Sequence, residues 1–146
     1  MENPFNAPET HLPDQDVKSL LMLAHIYGVQ GLHRHAYDAL TIAFGARPDD
    51  PEIARSLGMT LIKMGRFREA ILPLHVAVRA NDNAADAETT LSYGECLARS
   101  GFRNAARKVI LEAMIAASRG LGPPHIRRQA ERWLARLESF NNVIPS

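Results

Sequence analysis

Residues 57–77 read LGMTLIKMGRFREAILPLHVA, and the spacing of their small and apolar residues occurs three times in the chain. The pattern is carried by Leu57, Gly58, Gly65, Ala70, Leu74 and Ala77. A shift of 34 residues towards the N-terminus matches these positions to Leu23, Ala24, Gly31, Ala36, Leu40 and Ala43. A shift of 36 residues towards the C-terminus matches them to Tyr93, Gly94, Gly101, Ala106, Ile110 and Ala113. This period is typical of stacked helical hairpins, an architecture that commonly presents a binding surface to other proteins.

Each unit is predicted to contain two helices joined by a tight turn. Apolar and small side chains recur at helical spacing in the first helices, at residues 17–30, 51–64 and 87–100. A glycine follows each of these helices, because glycine adopts the left-handed conformation that ends a helix without steric cost. The glycines are Gly31, Gly65 and Gly101. The second helices are predicted to begin near His33, Phe67 and Arg103.

Three alanines are suited to the predicted helix crossings, and one aspartate is suited to a predicted helix start. Ala36, Ala70 and Ala106 are small where the two helices of each hairpin would cross. Small side chains there permit the usual interaxial distance of roughly 8–10 Å. Asp50 can cap the helix whose first residue is Pro51, because its carboxylate can accept hydrogen bonds from the free backbone N–H groups.

The pattern of unit one resembles the tetratricopeptide repeat (TPR), which combines a period of about 34 residues with small residues at helix crossings. Its positions here are Leu20, Leu23, Ala24, Tyr27, Gly31, Ala36, Leu40, Ala43 and Pro48. The resemblance implies an all-α TPR superhelix with three helical hairpins in residues 14–120, at 17–50, 51–84 and 87–120. Units two and three lack the expected large residue or proline at Ala54, Asp82, Thr90 and Ser118. Two additional residues near 83–86 predict a longer loop between these units.

The two ends of the chain differ from the repeats. A C-terminal capping helix is predicted over residues 123–140, where it would cover the last apolar face of the array. Its apolar stripe consists of Ile126, Ala130, Trp133, Leu134 and Leu137. Residues 1–13, with three prolines and little periodicity, are predicted to be an extended or disordered N-terminal arm. Phe5 and Leu12 leave open that this arm packs on the array or on a partner.

The composition favours one α-helical domain that is not an enzyme. The chain has 146 residues, 46% of them hydrophobic and 6% aromatic, which suits packing by Leu and Ala. No apolar run is long enough to span a membrane, the N-terminus does not resemble a secretory signal, and Cys96 is the single cysteine. We therefore expect a cytoplasmic protein in which Cys96 packs in the core.

No histidine pair has the i, i+4 spacing of a helical metal site and no phosphate-binding glycine motif occurs, so no metal or cofactor is expected.

The net charge of +1 conceals an asymmetry. Residues 1–98 carry 8 Lys/Arg and 13 Asp/Glu, a net of −5, whereas residues 99–146 carry 9 and 3, a net of +6. On the capping helix, Arg128, Arg132 and Arg136 form a basic patch. This patch is either the solvated face of a cap or a site for phosphate or an acidic protein. A nucleic acid is the less favoured partner, because we expect no aromatic side chains interleaved with these arginines.

In arrays similar to this one the first helices line the concave side, so the resemblance implies a partner-binding groove there, faced by the side chains not used in hairpin packing. Helical phase assigns to it Leu21, Met22, His25, Val29, Arg55, Met59, Ile62, Leu91, Glu95 and Ala98. Most of these are apolar, and methionine adapts to irregular partners. TPR modules that bind the acidic tail of heat-shock chaperones carry a basic residue and an amide where Leu21 and His25 stand, so no such carboxylate clamp is expected. The N-terminal arm or a second copy of the chain is an alternative occupant.

Residues 93–101, YGECLARSG, are similar to the third-unit region of the bacterial type III secretion chaperones that guard translocator subunits. The resemblance implies a small chaperone whose groove holds an extended or helical apolar segment of a secreted client until export. Covering such a segment prevents the client from associating with itself. A general TPR scaffold or assembly adaptor is the alternative function, and a homodimer or heterodimer stays open.

Overall fold

The computed structural model describes residues 11–80 and 86–143, apart from the side chains of residues 140–143. This part of the chain contains seven helices and no strand: α1 (Asp14–Val29), α2 (His33–Ala46), α3 (Pro51–Lys63), α4 (Phe67–Arg79), α5 (Ala87–Arg99), α6 (Arg103–Ser118) and α7 (His125–Val143). The second helices of the hairpins, α2, α4 and α6, begin at the predicted residues. Helix α1 begins three residues before the predicted start, and the Pro13 carbonyl oxygen accepts the N–H of Val17 at 3.1 Å.

Helices that follow one another in the chain pack on one another. Helix α1 packs on α2, α2 on α3, and so on to α6 and α7, and α5 also contacts α3 and α7. Ile126 and Ala130 of α7 are buried, and its Trp133, Leu134 and Leu137 are half-buried against the core. The prediction of three helical hairpins followed by a C-terminal capping helix is therefore confirmed.

Glycines end the first helix of every hairpin, as predicted. Gly31, Gly65 and Gly101 have φ angles of 74°, 72° and 90°, which lie in the left-handed region. After Gly31, the N–H of Leu32 donates to the carbonyl oxygen of Tyr27 at 2.8 Å, and the same bond follows Gly65 and Gly101 at 2.9 Å. These bonds satisfy carbonyl groups at the helix ends and turn the chain into the second helix.

Small residues allow close contact between the two helices of a hairpin. The predicted crossing residues Ala36, Ala70 and Ala106 are buried. A Cβ atom on Gly58 would lie 2.5 Å from Leu74 Cδ2, and one on Gly94 would lie 2.6 Å from Ile110 Cγ1. Both distances are far below van der Waals contact, so these positions set how near the helix axes approach.

The helix that begins at Pro51 is capped as predicted. Asp50 Oδ1 accepts hydrogen bonds from the backbone N–H groups of Glu52 at 2.9 Å and Ile53 at 3.2 Å. The cap satisfies two backbone N–H groups in the first turn of α3, which have no partner within the helix.

The N-terminal arm and the longer loop predicted near residues 83–86 lie largely outside the described residues. Of the arm, residues 11–13 precede α1 without regular secondary structure. Leu12 packs near Val17 and Ile53, and its carbonyl oxygen accepts a hydrogen bond from Arg47 Nη2 at 2.9 Å. None of the described helices is both long and apolar enough to cross a membrane.

Candidate functional site

A cavity of about 590 Å³ lies between α1 and α3 and is open to solvent; we call it the groove. It forms because α1 and α3 both pack on α2, which holds the two helices side by side with a gap between them. Leu40 and Ile53 line the buried part of its wall. Five of the ten predicted groove residues line it: Leu21, His25, Val29, Arg55 and Met59.

One wall of the groove is more polar than we expected. On α3, the side chains of Glu52, Ser56, Thr60 and Lys63 also line the cavity. These four residues were not predicted, although their spacing of four, four and three places them along one helical stripe beside Met59. The groove therefore has a mainly apolar wall on α1 and a mixed wall on α3.

Arg55, the one predicted groove cation, is held by residues of the next hairpin. Its Nε donates to Thr89 Oγ1 at 2.8 Å and lies 3.8 Å from Asp86 Oδ2. Thr89 Oγ1 donates in turn to Asp86 Oδ2 at 2.8 Å, and Asp86 Oδ1 caps α5 through the N–H of Thr89. The charge of Arg55 is thus balanced by Asp86, while its side chain borders the groove.

Two further predicted residues do not line the cavity. Met22 is 67% exposed on the outer side of α1, next to the exposed Leu23 and Ile26. Their exposure follows from position, because among the described helices only α2 packs extensively on α1. Ile62 is half-buried and packs on the core.

The assignment of Leu91 to the groove is wrong. Its side chain is 2% exposed and belongs to the core. Helix α5 has four neighbours, α3, α4, α6 and α7, so side chains that would face a groove at the end of the array are covered there. Ala98 is half-buried against the same core, and Glu95 is engaged by α7.

A shallow cleft of about 360 Å³ lies between α5 and α7. It is lined by Glu95, Gln129, Arg132, Trp133 and Arg136. Trp133 Nε1 donates a hydrogen bond to Glu95 Oε1 at 2.9 Å. Burial raises the pKa of Glu95, against the opposing effects of the Trp133 hydrogen bond and of the positive charges of Arg99 and Arg136.

The structure corrects the interpretation of the basic patch. Arg132 and Arg136 line the cleft, whereas Arg128 is exposed outside it. An aromatic side chain does accompany these arginines, because the Arg136 guanidinium lies 5.2 Å from the ring centre of Trp133. Arg99 lies 5.3 Å from the same ring and 4.7 Å from that of Phe67.

The cysteine is placed as expected. Cys96 is buried, and burial raises the pKa of its thiol to about 12, so the thiol stays protonated at neutral pH. Within the described residues, no group of three or more His, Cys, Asp or Glu side chains has an arrangement that could hold a metal ion.

Comparison with known proteins rests on structure. No family model matches the sequence, and no curated protein matches it. The type III secretion chaperone SycD of Yersinia enterocolitica, in complex with a peptide of the translocator YopD, superposes with a TM-score of 0.72 and 16% identity over 90% of this chain and 98% of that chain. PcrH in complex with the chaperone-binding region of PopD gives a TM-score of 0.72 and 16% identity over 90% and 97% of the two chains.

A TPR module of another kind is similar to the same extent. The first TPR of Spaghetti (RPAP3), bound to the HSP90 peptide SRMEEVD, has a TM-score of 0.70 and 18% identity, covering 91% of this chain and 98% of that chain. At these identities the likeness concerns the fold, and it agrees with the three glycine-ended hairpins and the capping helix. The chain therefore has the tetratricopeptide-repeat fold.

Proposed function

We propose that this protein is a non-catalytic binding module that holds an apolar segment of a partner protein in the groove between α1 and α3. The observation that carries the proposal is the open 590 Å³ cavity itself. Leu21, Val29 and Met59 present apolar surface there that no described part of the chain covers. Apolar surface in a concave site is the usual basis of peptide capture by helical proteins.

The specific role we propose is that of a small chaperone of the type III secretion kind, which sequesters an apolar segment of a secreted client. Two of the similar structures, SycD and PcrH, are complexes with segments of translocator proteins. In water, exposed apolar segments of a client associate with one another, and occupation of the groove would remove that surface from solvent. Met59 is suited to this task because its flexible thioether side chain adapts to irregular surfaces.

The alternative function is a general TPR scaffold or assembly adaptor. The observation that favours it is the polar stripe Glu52, Ser56, Thr60 and Lys63 on α3, which can donate and accept hydrogen bonds to an extended peptide of mixed composition. The two functions differ in the number of partners and in the affinity for each. A dedicated chaperone forms a tight complex with one client, whereas a scaffold binds several partners weakly.

The test is capture of partners from the native cell by wild-type protein and by a Met59→Glu variant, with the bound proteins identified by mass spectrometry. The variant places a charge on the wall of the groove, so we expect binding of the partner to fall at least about tenfold. Met59 is only half-buried, so helicity and thermal stability should change little. Leu72→Glu is the matched control, because Leu72 is 65% exposed on α4 and does not line the groove. Retention of the partner with native affinity by Met59→Glu would show that the groove is not the binding site.

A further inference from the structure

The cleft between α5 and α7 lies on the same side of the array as the groove. Glu95 is the equivalent in α5 of Met59 in α3 and of His25 in α1, by the shifts of 36 and 34 residues. Equivalent positions of stacked repeats face the same side.

The cleft carries more positive charge than its one carboxylate balances. In the described part of the chain, neither Arg132 nor Arg136 forms an ion pair with a carboxylate, although other arginines on the surface do. Arg99, at the edge of the same cluster, also lacks an ion pair among the described residues. The carboxylate that lines the cleft is that of Glu95, which accepts a hydrogen bond from Trp133. Three guanidinium groups therefore surround one carboxylate.

Two of these guanidinium groups are held in place before any ligand arrives. Trp133 is fixed by its 2.9 Å hydrogen bond to Glu95, and Arg99 and Arg136 both lie against its ring. A guanidinium group that stacks on an aromatic face keeps its N–H edge free to donate to an anion. Arg136, which also lines the cleft, is thereby oriented for a planar carboxylate, which accepts two parallel hydrogen bonds.

We propose that the first-helix side of the array binds a bipartite segment of the partner protein. Apolar residues of the segment occupy the groove, and one or more Asp or Glu side chains contact Arg132 and Arg136 in the cleft. The inference rests on the proposed function of the groove and adds the chemistry of the second half of the ligand.

Synthetic peptides with a fluorescent label test the inference by anisotropy titration of the full chain. Every peptide has an apolar half rich in Leu, Ile and Met, joined by a neutral spacer to a second half made of Glu, Gln or Lys. The Glu half is placed at the N-terminal end in one peptide and at the C-terminal end in another. We expect one Glu peptide to bind about tenfold tighter than its Gln counterpart, and the Lys peptide to bind more weakly. The advantage of Glu should shrink as salt is raised towards about 1 M.

Variants of α7 assign the effect to the cleft. Arg132→Gln combined with Arg136→Gln should abolish the advantage of the Glu peptide, and Arg132→Gln alone should reduce it without touching the stack on Trp133. Arg128→Gln is the matched control, because Arg128 is an exposed arginine of the same helix outside the cleft. Far-UV circular dichroism verifies that each variant is folded.

The outcomes separate this inference from the proposed function. If the Glu and Gln peptides bind equally, or if the advantage of Glu survives the double substitution, the acidic half of the proposal is wrong. If Met59→Glu abolishes binding of the peptides while Glu gives no advantage, the groove function stands and this inference alone falls. If no peptide binds, or if Met59→Glu changes nothing, both are overturned.

Discussion

Replacing Gly94 with alanine tests the close contact between α5 and α6. An alanine Cβ would lie 2.6 Å from Ile110 Cγ1, an atom near the backbone that cannot move as the end of a flexible side chain can, whereas the backbone nitrogen of Ile110, at 3.4 Å, would be in ordinary van der Waals contact. Overpacking of this kind costs about 1–3 kcal/mol. Replacing glycine by alanine inside a helix returns about 0.5–1 kcal/mol through backbone entropy. The midpoints of these two ranges leave a net loss of roughly 1 kcal/mol, a fall in melting temperature of a few degrees.

The assay is thermal and urea unfolding followed by far-UV circular dichroism. Gly45→Ala is the matched control, because Gly45 is exposed in α2 and an added Cβ there meets nothing within 4 Å. That variant should gain stability, so the two substitutions are expected to have opposite signs. In the Ile110→Ala background, the cost of Gly94→Ala should fall, because the atom that clashes is gone. A Gly94→Ala protein as stable as wild type, or an unchanged cost in that background, would refute the packing argument.

Three further predictions concern single side chains. The fold holds the pKa of Glu95 above its ordinary value of 4.5. The wild-type protein should therefore lose stability relative to Glu95→Gln as the pH rises through and above that value. Urea unfolding of both proteins measures this, and a stability difference that does not change with pH would contradict it. The Cys96 thiol, with its pKa raised to about 12, should react with a thiol reagent at neutral pH only after the protein is unfolded in urea. Rapid labelling of the folded protein would contradict this, because it would show that the thiol is accessible. The exposed apolar outer side of α1 should mediate a homodimer. In sedimentation, the Ile26→Asp variant should be monomeric, whereas the Ile42→Asp variant should remain dimeric, because Ile42 is a similarly exposed isoleucine on α2. A monomeric wild-type protein would rule this out.

Much of the fold could be predicted because its signals are local. These signals act on neighbouring residues or on the next helix of the same hairpin. They are the glycines that end the first helices, the Asp50 cap and the alanines at the helix crossings. Repetition of the same pattern three times then indicates stacking, since each hairpin leaves an apolar face that its neighbour covers.

The site was predictable only in part. Helical phase identified five residues of the groove but not the polar stripe on α3, because the predicted phase turned Ile62, rather than Ser56 and Thr60, towards the groove. The cleft depends on the contact between Glu95 and Trp133, which are 38 residues apart. Nothing in the local sequence indicates that a tryptophan of the capping helix reaches this glutamate.

The amino-acid sequence alone determined that the chain forms helical hairpins and where each second helix begins, because helix ends and crossings obey short-range steric and hydrogen-bonding rules. The tertiary structure alone decided which side chains of the first helices remain accessible. Leu21 and Leu91 occupy equivalent positions of units one and three, yet Leu21 lines the groove and Leu91 is buried in the core. The physical reason is the number of neighbours: among the described helices only α2 packs extensively on α1, whereas four helices pack around α5.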